Sequence, residues 1–354
     1  MITGQTISPS SRIGTDRGGH VMVRPEEPLT DPFGRTHTYL RVSVTDRCNL
    51  RCFYCMPRAG IAHRDRDEIL TFDEIVRLAR LFARMGTNKI RLTGGEPLAR
   101  RGIEDLIVAL AGISGIETLG MTTNGLLLAD RAHGLRRAGL THLNVSLDTL
   151  RPERFARIAL REGHAQVPAG IVAALDAGFV PLKLNMVVLG GINDDEVLDF
   201  VALTRSRPIH VRFIEFMPFR ANGWEGARFV PAAALQRRIR ERFPLIPTMA
   251  DESHPPVARE FRIDGHQGTV GFIASMSDHF CVGCRRLRLT SDGSLKTCLF
   301  FPAEVSLRDE MRAGASDGDL MCLIRRTVQG KRLAHPPLEE LQNADTQSMI
   351  EIGG

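Results

Sequence analysis

Cys48-Asn49-Leu50-Arg51-Cys52-Phe53-Tyr54-Cys55-Met56-Pro57 carries three cysteines spaced C-x3-C-x2-C, directly after the apolar run 39–44. A structural zinc site generally takes four ligands, whereas three thiolates without a fourth suit an iron-sulfur cluster with one iron left open. The chemistry is therefore expected just beyond the end of the first strand.

Working outward, strand and helix patterns alternate from residue 38 onward. Strands are expected at residues 38–44, 89–93, 118–123, 142–147, 182–189 and 210–216. Helices are expected at 71–85, 103–111, 128–138, 152–158, 170–177 and 194–204. In the first helix Thr71 and Glu74 form a T-x-x-E capping box, and Ile75, Leu78 and Phe82 share one face. Six β/α units in succession predict a parallel sheet, because a helix is the usual return path and the crossover is right-handed. An open, doubly wound sheet and a partial barrel would share this pattern. In both, ligands bind beyond the carboxyl ends of the strands. The informative residues fall there: the cysteines after the first strand, Thr93-Gly94-Gly95-Glu96-Pro97 after the second, Thr122-Thr123-Asn124-Gly125 after the third and Ser146-Leu147-Asp148 after the fourth. Paired glycines at a strand end let a ligand approach the backbone.

The flanks read differently. Residues 1–31 mix Gly, Pro, Ser and Arg without hydrophobic period and are expected to form a mobile tail. Prolines 244, 247, 255 and 256 punctuate a linker, so a core of 32–254 and a second unit of 255–354 are expected, with short strands at 260–263 and 269–274. The second unit carries Cys281, Cys284 and Cys298 in a C-x2-C-x13-C set. These thiols could hold a second open cluster, or a zinc ion with His279 as fourth ligand. The seventh cysteine, Cys322, stands apart and is expected to be a packed thiol in a helix.

At 354 residues the chain fits a large α/β domain with a smaller one. Two tight cysteine clusters without a signal pattern point to metal ligation in a reducing, cytoplasmic setting, and no apolar run is long enough for a membrane span. A net charge of +5 admits a polyanionic partner. With only 6% aromatic residues, a base-stacking platform for nucleic acid is poorly supplied, so a small phosphorylated substrate is favoured.

The C-x3-C-x2-C stretch with its aromatic before the third cysteine resembles the signature of radical S-adenosylmethionine (SAM) enzymes. Their core is a six-unit partial barrel of the TIM type, and this resemblance selects that fold here, followed by a smaller C-terminal α+β unit. The stretches TDRCNLRCFYCMP, KIRLTGGEPL, TTNG, NVSLDTL, GIND, RFIEFMP and FCVGCRRLRLTSDG, with a Gly353-Gly354 end, are similar to one family, the GTP 3′,8-cyclases that begin molybdenum cofactor biosynthesis. The resemblance implies two 4Fe-4S clusters, held by Cys48, Cys52 and Cys55 and by Cys281, Cys284 and Cys298. It implies SAM contacts from Tyr54, Gly94, Gly95, Glu96, Ser146 and Met217. GTP contacts are implied for Arg41, Lys89, Arg91, Thr122, Lys183, Arg286 and Arg288, with Arg212 as a further candidate. Gly353 and Gly354 are expected to reach into the active site. An external electron donor is implied, with no nucleic-acid or membrane partner, in a monomer or homodimer. Two other readings stay open: a radical SAM enzyme acting on a peptide, and a nucleic-acid-binding iron-sulfur or zinc protein.

Overall fold

In the computed structural model, which describes residues 14–15, 21–22, 27–248, 257–343 and 346–353, a twelve-stranded sheet wraps a polar interior without closing. Its centre is six parallel strands in sequence order: β1 (Tyr39–Ser43), β2 (Lys89–Thr93), β3 (Thr118–Thr123), β4 (His142–Ser146), β5 (Leu182–Val188) and β6 (Ile209–Glu215). All six agree with the sequence expectation to within one residue at either end. The reason is a period of two: Leu40, Val42, Ile90, Leu92, Leu143, Val145, Leu184, Met186, Val211 and Phe213 are buried on one face, while Arg41, Arg91, Asn144, Lys183 and Arg212 occupy the alternate positions. Lys89 on β2 lies close enough to Arg212 on β6 to feel its charge, so the sheet is curled.

The apolar face is covered by helices. In α1 (Phe72–Arg84) the Thr71 side chain accepts from Glu74 N at 3.2 Å and the Glu74 carboxylate accepts from Thr71 N at 2.8 Å. That capping box contributes on the order of 1 kcal/mol. Ile75, Leu78, Ala79 and Phe82 then bury one stripe against the sheet. Truncating Phe82, fully enclosed, would cost about 3–5 kcal/mol. The third helix starts later than the expected residue 128. Gly125 at φ +83° opens a run of turns in which Leu128 N donates to Gly125 O, and the helix is confined to Ala132–Arg137.

The chain after β6 extends this sheet. Strands β7 (Ile246–Pro247), β8 (Arg259–Arg262) and β9 (Thr269–Ile273) continue one edge, with β9 parallel to β6. Strands β10 (Arg286–Leu289), β11 (Ser294–Lys296) and β12 (Val305–Ser306) continue the other, with β10 parallel to β1. Among the described residues the expected unit 255–354 thus has no sheet of its own, and residue 254 lies outside them. Within the expected tail 1–31, Gly14–Thr15 pairs with Val21–Met22, and Leu29 is buried with its N–H on Met85 O at 3.0 Å.

Candidate active site

The loop after β1 brings Cys48, Cys52 and Cys55 together, each half-buried. It is pinned from below by Arg51 N on Ala159 O at 2.9 Å and Phe53 N on Ile158 O at 3.1 Å. Burial pushes Cys48 up to about 11 and Cys55 up to about 12 and also raises Cys52 well above the usual thiol range, with the neighbouring cysteines and Asp148 adding to the rise for Cys52 and Cys55. These thiols ionise only when a cationic group is bound among them. Among the described residues no three His, Cys, Asp or Glu side chains converge on a single metal ion. Three thiolates from one loop are a donor set that fits an iron-sulfur cluster with one open iron.

The Gly94-Gly95 pair packs against the cysteine loop. A Cβ on Gly95 would lie 2.2 Å from Arg47 O, and one on Gly94, at φ +142°, 2.5 Å from Thr45 O. The close neighbour is therefore the cysteine loop's own backbone, joined through Gly95 N on Thr45 O at 2.7 Å and Glu96 N on Arg47 O at 2.8 Å. Glu96 is buried, and its carboxylate accepts from Thr123 Oγ1 at 2.7 Å, Asn124 N at 2.8 Å and Leu98 N at 3.0 Å. Three strand-end loops are thereby stitched together.

Tyr54 donates to Asp148 Oδ2 at 2.6 Å, while Asp148 Oδ1 accepts from Val187 N at 2.9 Å. Burial raises the Asp148 carboxyl to about 6. Cys52, Tyr54, Asn124, Ser146 and Asp148 line one cavity at the carboxyl ends of β1, β3 and β4. Met217, beyond β6, packs with Cys298 against a small apolar cluster of Phe219, Phe300, Leu341 and Ile352.

Inside the sheet, lateral register sets the basic residues side by side. Arg288, Arg41, Arg91 and Gly120 form one row across β10, β1, β2 and β3. Gly120 leaves room for the Arg91 guanidinium, which a Cβ there would meet at 2.9 Å. Arg91 donates to Tyr39 Oη at 2.8 Å and Met121 O at 2.9 Å, and Lys89 sits 4.9 Å over the Tyr39 ring. Asn144, Lys183, His210 and Thr269 form a second row, with Thr122 beside Asn144. Burial, then Arg212, Arg91 and Lys89, lower Lys183 to about 8. His142 falls to about 4 through burial and the same lysines and Arg91. Arg212 is ion-paired with Glu260. The sequence reading missed Tyr39, His142, His210 and Glu260; the first three share the inward parity of their strands, which is the signal that could have found them.

The second trio lies in different surroundings. Burial raises Cys281, but Cys284 is lowered to about 7, since Arg286 and Lys331 together outweigh its burial. Lys331 Nζ is 3.9 Å from Cys284 Sγ and 2.9 Å from Arg286 O, and Arg286 stacks 4.7 Å from the Phe280 ring. His279 meets the His335 ring edge-on at 5.2 Å. Cys322 is exposed on the helix Asp317–Gln329, not packed, because it follows the inward Met321 by one position and so faces out.

The C-terminal helix Met349–Ile352 is capped by Ser348 with Glu351, and Glu351 pairs with Arg220 at 2.8 Å. Gly353 follows at φ +87°, and a Cβ there would lie 2.4 Å from Ser43 Cβ at the end of β1. Gly354 lies outside the described residues.

Parallel strands with a three-cysteine loop after the first define a radical SAM protein, and residues 42–204 match the Radical SAM superfamily. Residues 209–337 match the family described as Molybdenum Cofactor Synthesis C. The chain is 50% identical over 327 residues to "GTP 3′,8-cyclase, mitochondrial" of Arabidopsis thaliana, covering 92% of this chain and 83% of that one. It is 47% identical over 325 residues to "Molybdenum cofactor biosynthesis protein 1" of Mus musculus, covering 92% of this chain and 51% of the relative, so it spans about half that protein's length. Streptococcus suis SuiB bound to precursor peptide SuiA shares the fold at a TM-score of 0.58 and 13% identity, over 85% of this chain and 69% of that one. The chain belongs to the GTP 3′,8-cyclase family of radical SAM enzymes. Among the described residues no helix is long and apolar enough to cross a membrane.

Proposed function

We propose that the chain converts GTP to (8S)-3′,8-cyclo-7,8-dihydroguanosine 5′-triphosphate, the first step of molybdenum cofactor biosynthesis, with SAM and two 4Fe-4S clusters. The observation that carries this reading is the basic interior of the sheet, which runs between one cysteine trio beyond the carboxyl end of β1 and the other beside the amino end of its parallel neighbour β10. Buried cations in such number need an anionic ligand, and a triphosphate supplies it. Cys48, Cys52 and Cys55 would hold one cluster and Cys281, Cys284 and Cys298 the other. The first, given an electron by an external donor, supplies the reductive cleavage of SAM that yields a 5′-deoxyadenosyl radical. Tyr54 and Ser146, which line one cavity, and Met217 would contact SAM. Arg41, Lys89, Arg91, Lys183, Arg286 and Arg288 would bind the phosphates, and Gly353 would crowd the ribose toward the radical.

Because these cations face inward, a small anion is favoured over a nucleic-acid backbone. The test is anaerobic quantification of iron, sulfide and zinc, followed by turnover of GTP, GDP and ATP. Two clusters per chain with cyclised product from GTP are expected. One cluster with one zinc, or equal turnover of ATP, would overturn the reading.

A further inference from the structure

Arg212 and Glu260 meet although a strand separates them. Arg212 on β6 registers with Gly271 on β9, and Gly271 registers with Glu260 on β8. The three lie in one lateral row on one face. A Cβ at Gly271 would already touch the Arg212 and Glu260 Cγ atoms at 3.4 Å each, so a longer side chain would fill the gap across which guanidinium and carboxylate pair. The pair is largely shielded, with side-chain exposures of 18% and 23%. Lys183 and His210 also feel the Glu260 charge, which opposes Arg212, Arg91 and Lys89 at Lys183 and Arg212 and Lys183 at His210.

We propose that Glu260 is a positioning residue of the substrate site: its carboxylate keeps Arg212 as a neutral pair in the empty protein and yields the guanidinium when phosphate enters. This rests on the nucleotide reading above. Without a counter-charge, Arg212, Lys183 and Lys89 repel one another in a half-dry interior. With one, the empty protein is stabilised at the expense of affinity, because phosphate must displace a carboxylate before taking its two-pronged contact. Gly271 provides the opening that lets an outer strand contribute this group.

The test uses the whole chain and measures binding of GTP, inorganic tripolyphosphate and guanosine by calorimetry, with thermal unfolding of the nucleotide-free protein beside it. Glu260→Gln should tighten GTP and tripolyphosphate about fivefold, leave guanosine unchanged and lower the unfolding temperature without nucleotide. A residue with a merely structural role would weaken binding of all three. In an Arg212→Gln background the added Glu260→Gln change should alter GTP affinity less than about twofold. If Glu260→Gln alone does not fold, Arg212→Gln/Glu260→Gln, which leaves no broken pair, should fold and bind GTP as Arg212→Gln does. Unchanged or weaker GTP binding in Glu260→Gln, an equal gain for guanosine, or a full gain without Arg212 overturns the proposal. Wild-type protein that binds no GTP would instead sink the nucleotide reading.

Discussion

The two cysteine trios offer the same ligands in opposite electrostatic settings. Around Cys48, Cys52 and Cys55 the charged neighbours include Asp148 and Glu96, and all three thiols are raised. Around Cys284 stand Arg286 and Lys331, and the thiol is lowered. An identical cluster would therefore meet a negative wall in one place and a positive one in the other. The first setting suits a ligand carrying an ammonium and a sulfonium; the second suits an electron-rich or anionic one.

The largest effect that would break this contrast is loss of one trio at a time. Replacing Cys48, Cys52 and Cys55 by Ala should abolish SAM cleavage and remove about half the iron. Replacing Cys281, Cys284 and Cys298 should remove a similar share while leaving SAM binding intact, read by equilibrium dialysis. Equal loss of SAM binding in both variants would erase the distinction.

Deleting Gly353 and Gly354 asks whether the tail belongs to either trio. Cluster content should be unchanged and GTP affinity should stay within about threefold, while cyclised product is lost, because the tail orients reacting atoms and adds little to the fold. Product formation at the normal rate would make it a frayed end.

A smaller effect concerns pH. Lys183, lowered to about 8 from 10.5, keeps its proton in the unfolded chain across that window and loses it in the folded one. Folding stability should therefore rise with pH between those values, and GTP affinity should fall by up to about tenfold per pH unit. Lys183→Arg should flatten the affinity profile; an unchanged profile would remove Lys183 from the phosphate site. The smallest effect is expected for Cys322→Ser, which is exposed and should change stability by less than about 0.5 kcal/mol.

The six parallel strands were legible because strand and helix patterns alternate along the chain, as at Leu182 to Val188, whereas the choice of a partial barrel over an open sheet came from the family resemblance. Local pattern also placed the first cysteine loop at a strand end. It did not disclose β10, where Arg286 and Leu287 begin too short a run to signal a strand. That strand exists because β1 offers a paired edge more than 240 residues earlier in the chain. Nor could it reveal Asp148 beneath Tyr54 or Glu260 beside Arg212, since both contacts join distant segments. The glycines were noticed, but their nearest neighbours, Arg47 O and Ser43, are tertiary facts.

The pairing of β10 with β1 also bears on how the molecule is made. During synthesis β1 emerges early, and its outer edge stays an unmatched template until the last third of the chain has left the ribosome. Contacts of such sequence separation form slowly. The second thiol trio flanks this late pairing, with Cys281 and Cys284 just before β10 and Cys298 just after β11, so its surroundings are complete only once β10 has docked on β1.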